Sequence, residues 1–175
     1  AAREARLEYL DRAARRHRCR YVVTGHHADD QVETFFWRLL RGAGGLGLGG
    51  MKPVSSFPGQ PDLMMVRPLL AFTKTEIREY ARHAGVPFHE DETNRDTGPV
   101  RNRIRQNLLP LLRSQIKSGT DEMIRQSMEL LGTDADCVKE FAAAWLEEGK
   151  GGFSELHPAM QRWVIWLQLV EQGVE

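Results

Sequence analysis

The stretch RYVVTGHHADDQVETFFWRLL, residues 20–40, contains the strand and the helix that decide the fold class. Its first six residues are mostly apolar and end in glycine, which is typical of a buried parallel strand. Through residues 28–41 the apolar side chains recur at helical spacing, and they are Val32, Phe35, Phe36, Leu39 and Leu40. A strand that runs directly into an amphipathic helix predicts an α/β fold.

The neighbouring segments repeat this alternation of helix and strand. Residues 2–17 are predicted to form a helix before the strand, and residues 63–70 a second strand that enters a turn. Residues 73–85 are predicted to form a helix, because Thr73 at the N-cap and Glu76 three residues later make a capping box. This order of elements is typical of a doubly wound parallel sheet.

Two segments between these elements are predicted to be less regular. Residues 41–51, RGAGGLGLGGM, contain six glycines, and this composition predicts a connector without regular structure. Residues 86–96 are predicted to form a brief strand followed by an acidic loop.

Strand signals disappear after residue 100, and the rest of the chain is predicted to be helical. Residues 100–115 predict a basic helix, on which Arg101 and Arg105, four positions apart, would share a face while Arg103 points elsewhere. Apolar residues at alternating spacings of four and three predict a long helix through residues 124–145. A last helix is predicted in residues 157–171, with Pro158 in its first turn.

We therefore predict two domains. Residues 1–115 would hold part of a doubly wound parallel α/β sheet, and residues 116–175 a small all-helical domain. The chain of 175 residues is long enough for one good core with a helical appendage.

Charge is distributed unevenly along the chain, although 24 basic and 24 acidic residues balance overall. Residues 1–20 carry seven arginines against three acids, and residues 100–120 carry five basic residues and no acid. These segments are compatible with a polyanionic partner, although a solvated helix face also explains the first of them. Residues 121–175 carry eleven acids against four basic residues, so nucleic acid would require a local cluster such as Arg113, Lys117 and Arg125.

Cysteine usage and hydropathy indicate the cellular setting. Cys19 and Cys137 lie far apart and form no metal-type pair, which favours a reducing environment. No apolar run approaches the ~18 residues of a membrane span, and the charged N-terminus does not resemble a signal peptide. We expect a cytoplasmic protein without a membrane partner.

Five ionisable residues gather where the predicted strand meets the helix, and they are His26, His27, Asp29, Asp30 and Glu33. In open α/β sheets this end of a strand binds ligands. The aspartates could complement the helix dipole while the histidines pack. No metal site is predicted, because the histidines lack the i, i+4 spacing that turns two rings onto one metal. Asp30 and Glu33, three positions apart, could instead receive a cationic substrate, and composition does not choose among these interpretations.

Three longer stretches carry a specific resemblance. TGHHADDQVETFFWRLLRGAGGLGLGGM, RPLLAFTKTEIREYARHAGVPFHEDETNRD and VRNRIRQNLLPLL closely resemble the tRNA(Ile)-lysidine synthase family of PP-loop ATP pyrophosphatases. The resemblance covers residues 1–115 and is looser over residues 120–175, where LHPAMQRWVIWLQL is similar to a helix of that family's helical domain. It implies a sheet of the PP-loop, adenine nucleotide hydrolase-like type.

The resemblance also implies a reaction. The family uses ATP, with magnesium, to adenylate carbon 2 of the wobble cytidine in an isoleucine tRNA with a CAU anticodon. The ε-amine of L-lysine then displaces AMP and gives lysidine.

The resemblance further implies roles for individual residues. It implies four catalytic residues: Asp30 and Glu33, which address lysine, and Arg101 and Arg105, which lie near ATP and the activated base. The remaining substrate-binding residues that it implies are His26, His27, Asp29, Asn102 and Arg103. Cationic lysine requires carboxylates and phosphates require guanidinium groups, so these residue types suit the chemistry.

The chain departs from the family in one motif. The phosphate loop Ser-Gly-Gly-x-Asp-Ser is absent from the 175 residues, so we expect this chain by itself to be a catalytically silent piece of the enzyme, with ATP and magnesium held mainly elsewhere. One alternative is a non-catalytic RNA-binding or dimerisation fragment, and a homodimer is an open prediction. Another is a related PP-loop tRNA thiolase, which the two widely spaced cysteines disfavour.

Overall fold

The computed structural model describes residues 2–89, 100–116, 119–149 and 151–173. The chain forms two compact units. The first comprises Ala1–Thr34 and Met51–Asp121, and the second comprises Phe35–Gly50 and Glu122–Glu175. The predicted domain division between residues 115 and 116 stays a prediction.

Helices predominate in the described residues. The α-helices are α1 (Ala2–His17), α2 (Ala28–Leu39), α3 (Gly45–Leu48), α4 (Lys74–His83), α5 (Val100–Arg103), α6 (Leu109–Leu111), α7 (Thr120–Glu148) and α8 (Pro158–Glu171). A wider π-helical turn at Ile104–Leu108 joins α5 to α6, and a second one at Leu112–Ile116 extends the same helical segment, residues 100–116. None of the described helices is long and apolar enough to cross a membrane.

The sheet of the first unit has three strands, β1 (Tyr21–Val23), β2 (Val54–Phe57) and β3 (Gln60–Val66), in the order β1-β3-β2. β1 and β3 are parallel, which confirms the predicted α/β class. β2 pairs antiparallel to β3 and was missed, because its sequence VSSF lacks an apolar run. The only local signal for this hairpin is Pro58-Gly59, where Gly59 has a φ of +70°.

The core of the first unit lies between α1 and one face of this sheet. Its buried members are Ala14, Val22, Phe57, Leu63 and Met65, with Leu7 and Leu10 of α1 packed against them. The predicted burial of β1 holds for one face only. Tyr21 and Val23 are 63% and 66% exposed, because α1 covers only the face that carries Val22.

The glycine-rich segment 41–51 is more ordered than predicted. Gly45–Leu48 forms α3, so the prediction of no regular structure is wrong for these residues. Arg38 donates from Nη1 to the carbonyl oxygens of Gly47 at 2.6 Å and Gly50 at 3.2 Å. A Cβ on Gly49 would lie 2.7 Å from Cα of Gly132 in α7, so glycine permits a close backbone approach.

The second unit is built on α7 and α8. The predicted apolar seam of α7 is buried or half-buried throughout, and it comprises Ile124, Met128, Leu131, Ala135, Val138, Ala142 and Trp145. α8 begins at Pro158, one residue after the predicted start, and Pro158 lies in its first turn as predicted. A cavity of about 450 Å³ in this unit is lined by residues that include Leu131, Val138, Trp163 and Trp166.

The capping box of α4 is confirmed, since the hydroxyl of Thr73 accepts from the amide of Glu76 and the Glu76 carboxylate accepts from the amide of Thr73.

The predicted brief strand after α4 is wrong for residues 86–89, which have no regular structure. The acidic loop predicted after it lies in residues 90–99, outside the described part of the chain. The basic helix predicted for residues 100–115 is confirmed.

Candidate active site

The turn between β1 and α2 is held to β3 and to the turn that follows it. The amide of Thr24 donates to the carbonyl of Val66 at 2.9 Å, and the amide of Ala28 donates to the carbonyl of Phe72 at 2.8 Å. These bonds fix the start of α2, where the predicted cluster of ionisable side chains begins.

His26 lies within this turn, 2.9 Å from the Thr24 hydroxyl through Nδ1. Burial lowers the pKa of His26 below its ordinary value, and the positive charges of Arg67, Arg101 and Arg6 act in the same direction. Asp30 raises the pKa but does not outweigh them. His26 is therefore a neutral ring at pH 7.

Asp29 connects three elements. Its Oδ2 accepts from the backbone amide of Lys74 at 2.8 Å, at the start of α4. Its Oδ1 lies 3.4 Å from Nη2 of Arg113 in the segment 100–116. Both oxygens have donors, so the contacts of Asp29 join α2 to α4 and to that segment.

Asp30 caps its own helix. Its Oδ2 accepts from the backbone amide of His27 at 3.0 Å and lies 3.5 Å from Nε2 of the same residue. Its Oδ1 has longer contacts, at 3.5 Å from Nη2 of Arg101 and 3.7 Å from Nη2 of Arg105. Nδ1 of His27 lies 3.6 Å from Oδ2 of Asp29, so this ring lies between the two aspartates.

Glu33 is the most buried carboxylate of the cluster, with only 2% of its surface exposed. Arg105 donates to both of its oxygens, from Nε to Oε1 at 2.5 Å and from Nη2 to Oε2 at 2.9 Å. Arg101 adds a bond from Nε to Oε2 at 3.2 Å. The hydrogen bonds to Glu33 raise the pKa of Arg105, because they favour its charged form.

The segment 100–116 brings the two arginines together. Ile104 and Leu109 bury one side of it, at 3% and 2% exposed. Arg101 and Arg105, four positions apart, both reach Glu33, which confirms the prediction that they share a face. Arg103 is exposed and Asn102 is half-buried.

A further ion pair was not predicted from the sequence. Arg113, predicted only as part of a cationic cluster for nucleic acid, donates from Nε and Nη2 to the carboxylate of Asp121 and also contacts Asp29. Arg125 likewise pairs with Glu122, and Lys117 lies outside the described residues. Glu122 is three positions from Arg125 on α7, a spacing that indicates such a pair, whereas Asp121 is eight positions from Arg113 and its pairing had no such signal.

The charges of the inner cluster balance. Asp30 and Glu33 supply two negative charges, and Arg101 and Arg105 supply two positive charges. The arginine side chains are 43% and 31% exposed, so an anionic group can reach them. Among the described residues, no group of His, Cys, Asp and Glu is suited to a metal ion, and the carboxylates already accept N–H donors. These carboxylates therefore do not fit a magnesium site.

A strand whose carboxyl end leads through a polar turn into a helix defines the class of open α/β domains that bind ligands at this edge of the sheet. Within that class, the chain belongs to the PP-loop domain family, which matches residues 1–112.

Curated relatives named tRNA(Ile)-lysidine synthase make the comparison more specific. The chain is 42% identical to one from Geobacter sulfurreducens over 77% of this chain and 27% of the relative. It is 38% identical to one from Rhodopirellula baltica over 83% of this chain and 36% of the relative. A third, from Geobacillus kaustophilus, is 33% identical over 97% of this chain and 38% of the relative. The chain thus spans well under half the length of these relatives.

Proposed function

We propose that the protein acts in tRNA modification as a ligase that joins lysine to carbon 2 of a cytidine in an isoleucine tRNA. The observation that carries this proposal is the similarity of the chain to relatives named tRNA(Ile)-lysidine synthase, at 33% to 42% identity. Membership of the PP-loop domain family supports ATP as the activating substrate.

The proposed reaction has two steps. The oxygen on carbon 2 of the cytidine attacks the α-phosphate of ATP, so that pyrophosphate leaves and an adenylated base forms. The lysine ε-amine then attacks carbon 2, the carbon–nitrogen bond forms, and the bond to the AMP oxygen breaks. Magnesium would accompany ATP through groups other than the carboxylates of this cluster.

Arg101 and Arg105 are the groups proposed to face the anionic part of the substrates. Guanidinium groups match phosphate oxygens in charge and in geometry. Both side chains retain access to solvent, at 43% and 31% exposed, while their contacts with Glu33 fix their position.

Asp30 is the group proposed to receive the lysine ammonium. Its Oδ1 has only longer contacts to the arginines, at 3.5 and 3.7 Å. A cation that binds there therefore displaces weaker arginine contacts than a cation that binds at Glu33. The amine, with an ordinary pKa of about 10.4, must lose a proton before it attacks. Asp30 can hold the ammonium first and stabilise the departing proton afterwards.

The proposed partner is an isoleucine tRNA with a CAU anticodon, in the cytoplasm. The exposed Arg103 and the half-buried Asn102 lie on the same segment as the two paired arginines, and they are proposed to contact this RNA. His26 and His27 would line the lysine side of the site, and Asp29 would hold the helices around it.

The test uses the protein as its gene encodes it, an isoleucine tRNA transcript, ATP and labelled lysine. Adenylated tRNA and lysine-labelled tRNA are measured separately. Asp30→Asn should weaken the apparent affinity for lysine about 30-fold, which corresponds to the loss of about 2 kcal/mol, and should spare adenylation. Asp62→Asn, at an exposed position on β3, is the matched control.

Two results would count against the proposal. If the wild-type protein incorporates no lysine into tRNA, the proposed activity is wrong. If Asp30→Asn reduces adenylation and lysine transfer equally, the activity stands but the role of Asp30 does not.

A further inference from the structure

Glu33 differs from the other carboxylates of the cluster in its burial. It is 2% exposed, and the other buried polar residue of the described chain is its neighbour Thr34. A charged carboxylate is expensive to bury unless hydrogen bonds and opposite charges compensate for the lost water. The side chains around Glu33 therefore indicate which groups stabilise its charge in the folded protein.

The permanent partners of Glu33 are the two arginines. Arg105 engages both carboxylate oxygens with a side-by-side pair of N–H donors, and Arg101 donates to Oε2. A substrate ammonium at Glu33 would have to displace at least one of these charge-assisted bonds. At Oδ1 of Asp30 a cation would meet only the longer arginine contacts of 3.5 and 3.7 Å.

We propose that Glu33 is a positioning residue that holds Arg101 and Arg105 toward the anionic triphosphate of the nucleotide, and that it does not bind the amine. The inference rests on the proposed function. It changes the role expected for Glu33, since the family resemblance assigns this residue to lysine. Glu33 then contributes to the step in which the phosphates react.

Glu33 restricts the conformations of the two arginine side chains. A long arginine side chain has many rotamers, and a fixed carboxylate removes that freedom before the substrate arrives. Thr34 helps in the same way, because its hydroxyl lies 3.5 Å from Nη2 of Arg101. Both guanidinium groups stay partly exposed, so they can contact a ligand in the orientation that Glu33 fixes.

The experiment compares Glu33→Gln, Glu33→Asp and Arg105→Ala with wild type, in the protein as its gene encodes it. Equilibrium ATP binding, adenylation and lysine transfer are measured in each preparation. Glu33→Gln should reduce ATP affinity or adenylation about tenfold to a hundredfold, as should Arg105→Ala. Glu33→Asp should recover part of this loss, because it keeps the charge that aligns the arginines.

The KM for lysine should change less than about threefold in Glu33→Gln, since the amine binds elsewhere. Comparing lysine transfer from pre-adenylated tRNA with adenylation in the same preparation removes the fraction of unfolded protein from the result. Glu79→Gln, at an exposed position of α4, is the matched control.

The opposite pattern overturns the inference. If Glu33→Gln raises the KM for lysine strongly while ATP binding and adenylation stay at the wild-type level, Glu33 is a ligand of the amine. If wild type modifies no tRNA, the proposed function fails, and the ATP-binding measurement still decides the inference. Equal ATP affinity in wild type and Glu33→Gln would then refute it.

Discussion

The ion pair between Glu33 and Arg105 should contribute to folding as well as to the site, and a double-mutant cycle can measure it. The perturbations are Glu33→Gln, Arg105→Ala and the combination of the two. Among the described residues, Arg105 supplies two of the three N–H donors to a carboxylate that is 2% exposed. In this part of the chain, Arg105→Ala therefore leaves Glu33 buried with the bond from Arg101 at 3.2 Å.

The magnitudes follow from this geometry. Breaking a fully buried pair costs about 3–5 kcal/mol, and the 31% exposure of Arg105 places this pair at the lower end, about 3 kcal/mol for Arg105→Ala. Glu33→Gln keeps the shape but sets an amide donor against arginine donors, so we expect about 2 kcal/mol. Because both substitutions remove the same contacts, the double variant should lose about 3.5 kcal/mol instead of about 5, a coupling of about 1.5 kcal/mol.

The assay must report on the first unit. All four tryptophans (Trp37, Trp145, Trp163 and Trp166) belong to the second unit, so tryptophan fluorescence is unsuitable. Denaturant-dependent amide exchange, followed by mass spectrometry on peptides from residues 28–34 and from residues 100–116, measures the relevant opening free energy. Arg103→Ala, at an exposed position of the same segment, should change it by less than about 0.5 kcal/mol.

Additivity would refute this reasoning. If the free-energy losses of the two single variants sum to that of the double variant within about 0.3 kcal/mol, Glu33 and Arg105 do not interact in solution as the structure places them.

Two further predictions concern the second unit and the turn before α2. Gly49→Ala should destabilise the second unit by about 1–3 kcal/mol, because its Cβ would lie 2.7 Å from Cα of Gly132. Urea denaturation followed by tryptophan fluorescence measures this loss. Gly44→Ala, with nothing within 4 Å of its Cβ, is the matched control, and equal effects of the two substitutions would contradict the close approach. Burial holds the pKa of His26 below 6.5, so the unfolded chain binds the proton more readily and stability should fall as the pH drops below about 6.5. His26→Asn should flatten that loss below about pH 6.5 in thermal melts, and an unchanged pH dependence would show that other groups cause it.

The sequence predicted those features that depend on neighbours a few positions away. The capping box of α4 links Thr73 to Glu76 across three positions. The predicted apolar stripe of α2 holds only in part, because Val32 is buried whereas Leu39 and Leu40 are 45% and 67% exposed. The shared direction of Arg101 and Arg105 follows from their spacing of four on a helix. In each case the local backbone brings the side chains together, so the residue types and their spacing are sufficient.

Contacts between distant positions could not be predicted in this way. Glu33 and Arg105 are 72 positions apart, and each residue alone is compatible with a solvent-exposed helix position. The glycines of residues 41–51 suggested an irregular connector, because a glycine needed for close packing has the same sequence signature as one needed for flexibility. Only the presence of Gly132 opposite Gly49 separates these two cases.

The charged residues of α2 and of the segment 100–116 hold the first unit together, so a substitution among them can change both folding and activity. Asp29 contacts the first amide of α4, Arg113 contacts both Asp29 and Asp121, and Glu33 holds the arginines of residues 100–116. The groups proposed to meet substrates are thus also the groups that join α2 to its neighbours in the first unit. A lower rate in a single variant therefore does not distinguish a lost substrate contact from a smaller folded fraction. Two steps measured in one preparation do distinguish them, because unfolding reduces both steps equally, whereas a lost contact reduces only the step that uses it.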